Sequence, residues 1–396
     1  MKTLVENRLA QIRKSRGVGA SDLARGRRLS RRWILAFALA AVCPAADFDW
    51  GLPKGFPAPA VPAKNPMSTA KVELGRHLFY EKRMSVNGKE SCGTCHRQEL
   101  AFTDERARAE GTTGQLHPRS SMSLVNVAYV PLLTWANPTL SSLEDQALVP
   151  MLGEEPIELG LKGHERQFLD VLQRDPVYQA LFPKAFPGET DPYTLANVTK
   201  AIAAFERTIV SMRSPYDRYR WGGDSSAISD AAKRGELLFF SGERGGCFQC
   251  HGGWNFGGRI RFEGGGTADR EDDGRHGFFN TGVSEYAAPN RGLAEHTGKS
   301  QDIGKFRPPS LRNIAVTAPY MHDGSLATLD EVIDHYAAGG RLNLPNKSRI
   351  LRPIRLSAAE RADLIEFLKS LTDNALLHDP RWSDPWPQAK PAPSGR

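Results

Sequence analysis

The sequence predicts a mostly α-helical protein built of two similar domains with long loops, and three observations carry that prediction. Apolar residues recur at helical spacing, most clearly at Leu195, Val198, Ile202, Phe205 and Ile209. No window sustains the alternation of a β-strand. A short pattern also occurs twice: Gly75 ahead of Leu78-Phe79-Tyr80, and Gly235 ahead of Leu238-Phe239-Phe240. Each copy leads into a Cys-x-x-Cys-His sequence, as in a duplicated domain.

Taken in order, residues 1–46 read as a secretory leader. Its basic part ends in Arg27-Arg28-Leu29-Ser30-Arg31-Arg32, an apolar run covers 33–42, and Ala45-Ala46 offers a cleavage site. The run is too short to span a bilayer, so an exported, periplasmic protein without stable membrane insertion is expected. Ser30-Arg31-Arg32-Trp33 partly resembles a twin-arginine signal. Cys43 suggests lipidation, but Ala41-Val42 before it suits that site poorly.

The N-terminal domain is expected over 47–225. It opens on a Pro-rich extended stretch and closes at Gly222-Gly223-Asp224-Ser225-Ser226. The C-terminal domain is expected over 226–379. Within it, 252–305 is Gly-rich and reads as loops. Thr328 and Glu331 form a capping box for a helix through Tyr336, stopped by Gly339-Gly340. Ser357 and Glu360 open another, with Leu364, Phe367, Leu368 and Leu371 facing inward. The Pro-rich tail, 380–396, is expected to be disordered.

Charge removes one class of function. The 396-residue chain carries a formal +7, but residues 1–46 hold ten Lys/Arg and two acids. The remainder has 42 basic and 43 acidic residues, leaving no basic surface for nucleic acid.

The chemistry lies in the cysteines. One of five is in the leader; the others form Cys92-Gly93-Thr94-Cys95-His96 and Cys247-Phe248-Gln249-Cys250-His251. Two thiols two residues apart reach the two vinyl groups on one edge of a porphyrin, and the next histidine ligates the iron. Two covalent haem c groups are therefore expected, in two cytochrome c-like domains. Haem attachment after unfolded export favours the general secretory route. A zinc site shared by pairs 155 residues apart, a strained disulfide, or a thioredoxin-like motif explains the two histidines less well.

With these motifs placed, the chain resembles the bacterial di-haem cytochrome c peroxidase/MauG superfamily. The resemblance is carried by Ala101-Phe102-Thr103-Asp104, Ser123-Leu124-Val125-Asn126-Val127-Ala128, Phe306-x-x-Pro309-Ser310-Leu311-Arg312-Asn313 and Thr317-Ala318-Pro319-Tyr320-Met321-His322-Asp323-Gly324. Trp135-Ala136-Asn137-Pro138-Thr139-Leu140 and Phe205-Glu206-Arg207-Thr208 are most similar to the MbnH-like branch.

The resemblance implies roles. His96 would ligate a first, peroxide-reacting haem, with Glu158 as distal acid; two extra residues after Pro150 leave Glu154 and Glu155 as alternatives. His117 would be a propionate or neighbouring contact. His251 and Tyr336 would ligate the second haem, where the peroxidases carry Met. From the residues alone, Tyr336 shares a helical face with Leu329, Val332 and Ile333 and reads equally as core. Trp135 would bridge the haems, although an isolated Trp is commonly core packing. A calcium ion is implied at the Asn126 side chain and the carbonyls of Thr317 and Pro319.

The implied activity is that of a MauG/MbnH-type oxidoreductase. H2O2 would generate a di-haem state with both irons above ferric, which oxidises a tryptophan of a partner protein, such as a copper-binding protein, with Trp221 and Trp254 as exit relays. The alternatives are a peroxidase drawing electrons from a small cytochrome or cupredoxin, and a non-catalytic electron carrier.

Overall fold

A computed structural model describes residues 48–266 and 277–387; the leader, its cleavage site and its export signals lie outside them. Among the described residues nine helices of six or more residues carry the fold. They are α1 Thr69–Phe79, α2 Leu143–Leu152, α3 Glu165–Arg174, α4 Pro176–Ala185, α5 Leu195–Arg207, α6 Pro215–Arg220, α7 Asp230–Phe240, α8 Leu329–Ala337 and α9 Ala358–Ser370. Among the described residues sheet is limited to two antiparallel ladders of two residues per strand. Among the described residues of 252–305 only these ladders and single helical turns interrupt the loops.

The helices begin where side chains can satisfy their first free N–H groups. Ser68 accepts from Lys71 N at α1, and Thr194 accepts from Asn197 N at α5. Both expected capping boxes form, Thr328 with Glu331 and Ser357 with Glu360. Helix α5 stops at Arg207, with Thr208 as its cap. Ile209 lies past the helix end yet is fully buried.

Two helix pairs organise two cores, α1 on α5 and α7 on α9. The repeated glycine explains both crossings. A Cβ on Gly75 would lie 1.9 Å from Ala201 O and 2.9 Å from Phe205 Cβ. One on Gly235 would lie 2.0 Å from Asp363 O and 2.8 Å from Phe367 Cβ. Any side chain would wedge the helices apart, so each glycine sets a close approach. The following pairs then fill the cores, Leu78-Phe79 in the first and Leu238-Phe239 in the second.

The repeat extends further than the sequence reading found. Asn126 N donates to Ile209 O at 2.8 Å, and Asn313 N donates to Leu371 O at 3.0 Å. Both asparagines are fully buried and left-handed, at φ 57° and 61°. Each sits in Ser-Leu-x-Asn, at 123–126 and at 310–313. Asn tolerates this backbone better than most side-chain-bearing residues, which explains its use at both turns.

Both cores belong to one compact unit, Phe48–Arg396. Tyr216 already packs in the second core, ahead of the expected boundary at 225, while Leu376, Leu377 and Trp382 pack in the first. The tail expected to be disordered from 380 is therefore corrected as far as the described residues reach. Trp382 is buried, its indole N–H donates to Thr208 Oγ1 at 3.1 Å, and its carbonyl accepts from Tyr80 OH at 2.6 Å. Indole burial outweighs the local preference of a Pro-rich segment for solvent. Residues 388–396 lie outside the described structure.

Candidate functional site

The first motif, Cys92–Cys95, forms one helical turn, entered through Ser91 N donating to Thr94 Oγ1 at 3.0 Å. His96 follows with its Nδ1 2.8 Å from Phe102 O. A carbonyl only accepts, so Nδ1 carries the hydrogen and the Nε2 lone pair is left for a metal. Ala101 and Phe102, at φ 53° and 59°, make the tight turn that aims this carbonyl at the ring. Burial holds His96 below the usual imidazole range and so keeps it neutral.

Beside His96 lies a pocket lined also by Cys92, Cys95, His117, Glu158 and Glu206. Burial pushes the Glu158 carboxyl up to about 7. Leu159 N donates to Pro150 O, closing the loop that carries Glu158 back onto α2. Of the alternatives, Glu154 is exposed and pairs with Lys162, and Glu155 is exposed. His117 Nδ1 accepts from Arg119 N at 3.1 Å, and Arg119 in turn binds both Glu295 oxygens at 2.7 Å.

The second motif repeats the histidine arrangement, with His251 Nδ1 3.0 Å from Phe256 O and 3.1 Å from Pro309 O. Burial again lowers its affinity for a proton. No disulfide joins any of the four cysteines. Burial pushes the thiol of Cys95 up to about 12 and that of Cys247 up to about 11. Among the described residues, three or more His, Cys, Asp or Glu side chains nowhere gather as a metal site.

Helix α8 presents Leu329 and Ile333 to the second core and brings the half-buried Tyr336 near the second motif. Burial, followed by the Cys250 and Cys247 sulfurs and Tyr286, pushes its phenol above the ordinary range. His335 on the same helix faces Thr281 O at 3.0 Å.

Trp135 lies where the two halves meet. Its indole N–H donates to Ser120 O at 2.9 Å, while Ser120 N donates to His322 O at 2.9 Å. Its carbonyl accepts from Arg307 N at 2.8 Å, and its ring centroid is 6.5 Å from that of His322. His322 stacks on Phe306 at 3.8 Å, and burial pushes it down to about 4. Trp221 is 46% exposed, and Trp254 packs edge-on against Tyr129.

The expected calcium donors are all neutral oxygens. Asn126 Oδ1 accepts from Ser211 N at 2.8 Å, and its Nδ2 donates to Ser211 O and Asn255 Oδ1. One lone pair of that oxygen remains for a hard cation, so water would have to complete the shell.

Glu206 was missed by the sequence reading as a cavity residue, although a signal existed. It stands between Ile202 and Ile209 at helical spacing, a charge on an otherwise apolar stripe. Arg307, close to Trp135, left no such mark. Among the described residues no helix is long and apolar enough to cross a membrane.

Residues 69–226 match the profile of the family described as di-haem cytochrome c peroxidase. Cytochrome-c peroxidase IdrP1 of Denitromonas iodatirespirans is 38% identical over 368 residues, 87% of this chain and 94% of that protein. Methylamine utilization protein MauG of Methylorubrum extorquens is 35% identical over 311 residues, 78% of this chain and 80% of that protein. The crystal structure of a MauG-like protein associated with microbial copper homeostasis aligns with a TM-score of 0.80 at 42% identity, over 86% of this chain and 100% of that one.

Proposed function

The chain belongs to the di-haem cytochrome c peroxidase/MauG family and is a haem-dependent oxidoreductase; from that premise we propose that it is a MauG-type oxidase of the periplasm. Hydrogen peroxide is its oxidant. Its reductant is a residue of a docked partner protein, a tryptophan of a copper-binding protein, from which electrons travel through the second site and Trp135.

The observation that carries this reading is Tyr336, set on α8 near Cys247 and Cys250, the position where a peroxidase would place Met. A phenolate is a hard anionic donor, suited to iron that stays oxidised instead of accepting electrons from a small cytochrome or cupredoxin. Haem c attached at Cys92/Cys95 and Cys247/Cys250 would supply iron able to take up oxidising equivalents. His96 and His251 present neutral Nε2 atoms to it. Glu158 moves a proton between the peroxide oxygens, and Trp135 links the two sites. A calcium ion on Asn126 Oδ1 and the carbonyls of Thr317 and Pro319 belongs to the same proposal, and metal analysis of the holoprotein tests it.

The deciding experiment adds stoichiometric H2O2 to fully oxidised holoprotein, followed by absorption and Mössbauer spectroscopy. We expect a reaction that changes both iron sites without prior reduction and that is altered at the second site by Tyr336→Phe. Reactivity that appears only after reduction by a cytochrome donor would establish the peroxidase. No reaction in either state would leave an electron carrier.

A further inference from the structure

The register between the two halves singles out one residue. Gly75 approaches Ala201 and Phe205 as Gly235 approaches Asp363 and Phe367, and Asn126 bonds Ile209 as Asn313 bonds Leu371. These contacts lay α5 on α9 with one offset. Ile202 and Ile209 then match Leu364 and Leu371, and all four are buried. Position 206 matches 368, and there the halves differ. The second core has Leu368, 8% exposed; the first has Glu206, 5% exposed.

The first core balances that carboxyl only in part. The neighbouring Arg207 gives its guanidinium to Glu144 at 2.9 Å, and Glu206 Oε2 is buried without a hydrogen-bond partner. A carboxylate buried with one oxygen unpartnered and its neighbouring cation committed to Glu144 is disfavoured, so burial favours the neutral acid. A leucine there would suit the core better, as the second half demonstrates. Stability therefore does not explain the glutamate. Its place on the wall of the cavity that holds His96 and Glu158 offers a reason.

We propose that Glu206 is a second proton-holding residue of the first cavity, supplying one of the two protons that hydrogen peroxide takes up on reduction to water. The inference rests on peroxide reduction at this site. Breaking the O–O bond and forming two waters consumes two electrons and two protons. The electrons come from the partner protein. Glu158 passes a proton from one peroxide oxygen to the other and adds none to the total. Glu206 gives one and is reprotonated from solvent entering past Glu110, an exposed residue of the same wall; the other proton comes directly from that solvent. Glu90, Glu110, Glu158, His96 and His117 face the same space, with Arg207 and Glu144 close to Glu206 on α5 and α2. Burial, partly offset by Arg207, keeps Glu206 protonated up to about 8, above the value of about 7 for Glu158.

The test compares holoprotein with Glu206→Gln and Glu206→Leu, each checked for two haems by pyridine haemochrome absorption. At pH 7 the parent should show an infrared carboxylic-acid C=O band that shifts in D2O and is missing from both variants. Peroxide consumption should fall by about 10²-fold in both, while Glu206→Leu melts no lower than the parent. Variants that keep the band and consume peroxide at the parental rate would overturn the inference and leave Glu206 a core residue. A parent inert to peroxide would overturn the functional reading instead.

Discussion

At the scale of single residues, this protein controls protons by burial. His96 and His251 are held neutral with Nδ1 committed to carbonyls, which leaves Nε2 for iron. Glu158 is raised to about 7 by the same effect with the opposite sign of charge. Its conjugate base is the form that accepts a proton, so the peroxide rate of the holoprotein is expected to rise with pH through about 7. In Glu158→Gln that rising limb disappears and the rate falls by about 10²–10⁴-fold; a stopped-flow pH series on both proteins checks it, and an unchanged profile would return Glu158 to the role of a loop carboxylate. Stability follows the same group. The folded chain holds a proton from the ordinary 4.5 up to about 7 that the unfolded chain has released. Unfolding free energy therefore falls as pH rises across that window, and Glu158→Gln removes this contribution.

At the scale of elements, the two glycine crossings are the contacts that least tolerate change. Gly75 and Gly235 each stand where a Cβ would collide with the backbone of the opposing helix. Helix backbones move apart only by disturbing the packing around them, so Gly75→Ala or Gly235→Ala is expected to cost about 1–3 kcal/mol by overpacking, despite the better helix propensity of alanine. Denaturant unfolding of each variant measures this. Leu237, 72% exposed on the same helix as Gly235, should tolerate alanine, which separates a crossing effect from a general one. The haem-loop turns depend on these helices, since α1 and α7 deliver the chain to Cys92 and Cys247.

At the scale of the whole molecule, the chain end ties the halves together. After α9 it leaves the second core, places Leu376, Leu377 and Trp382 in the first, and accepts two hydrogen bonds from Gln98 Nε2 at Leu376 O and Asp379 O. Asp373 adds Ser211 and Arg213 from the segment after α5. Trp382→Ala removes a buried indole and is expected to cost about 3–5 kcal/mol. Calorimetry of the holoprotein should then show the first core melting earlier and the single transition broadening or splitting; an unshifted transition would mean that the tail contributes little.

The sequence by itself determined what is local or repeated. The Cys-x-x-Cys-His pairs, both capping boxes, the apolar stripe of α5 and the Gly-Leu-aromatic repeat are all patterns within a few turns of chain, where spacing dictates geometry. Tertiary structure decided what depends on distant neighbours. Whether Glu154, Glu155 or Glu158 faces His96 depends on how one loop folds back on α2. That Trp135 meets Ser120 and the His322 segment depends on packing between the two halves. The burial of Trp382 depends on a surface offered by α1 and α5 from more than 170 residues earlier. In each case the energy comes from desolvation and contact between segments far apart in sequence, which local spacing does not encode.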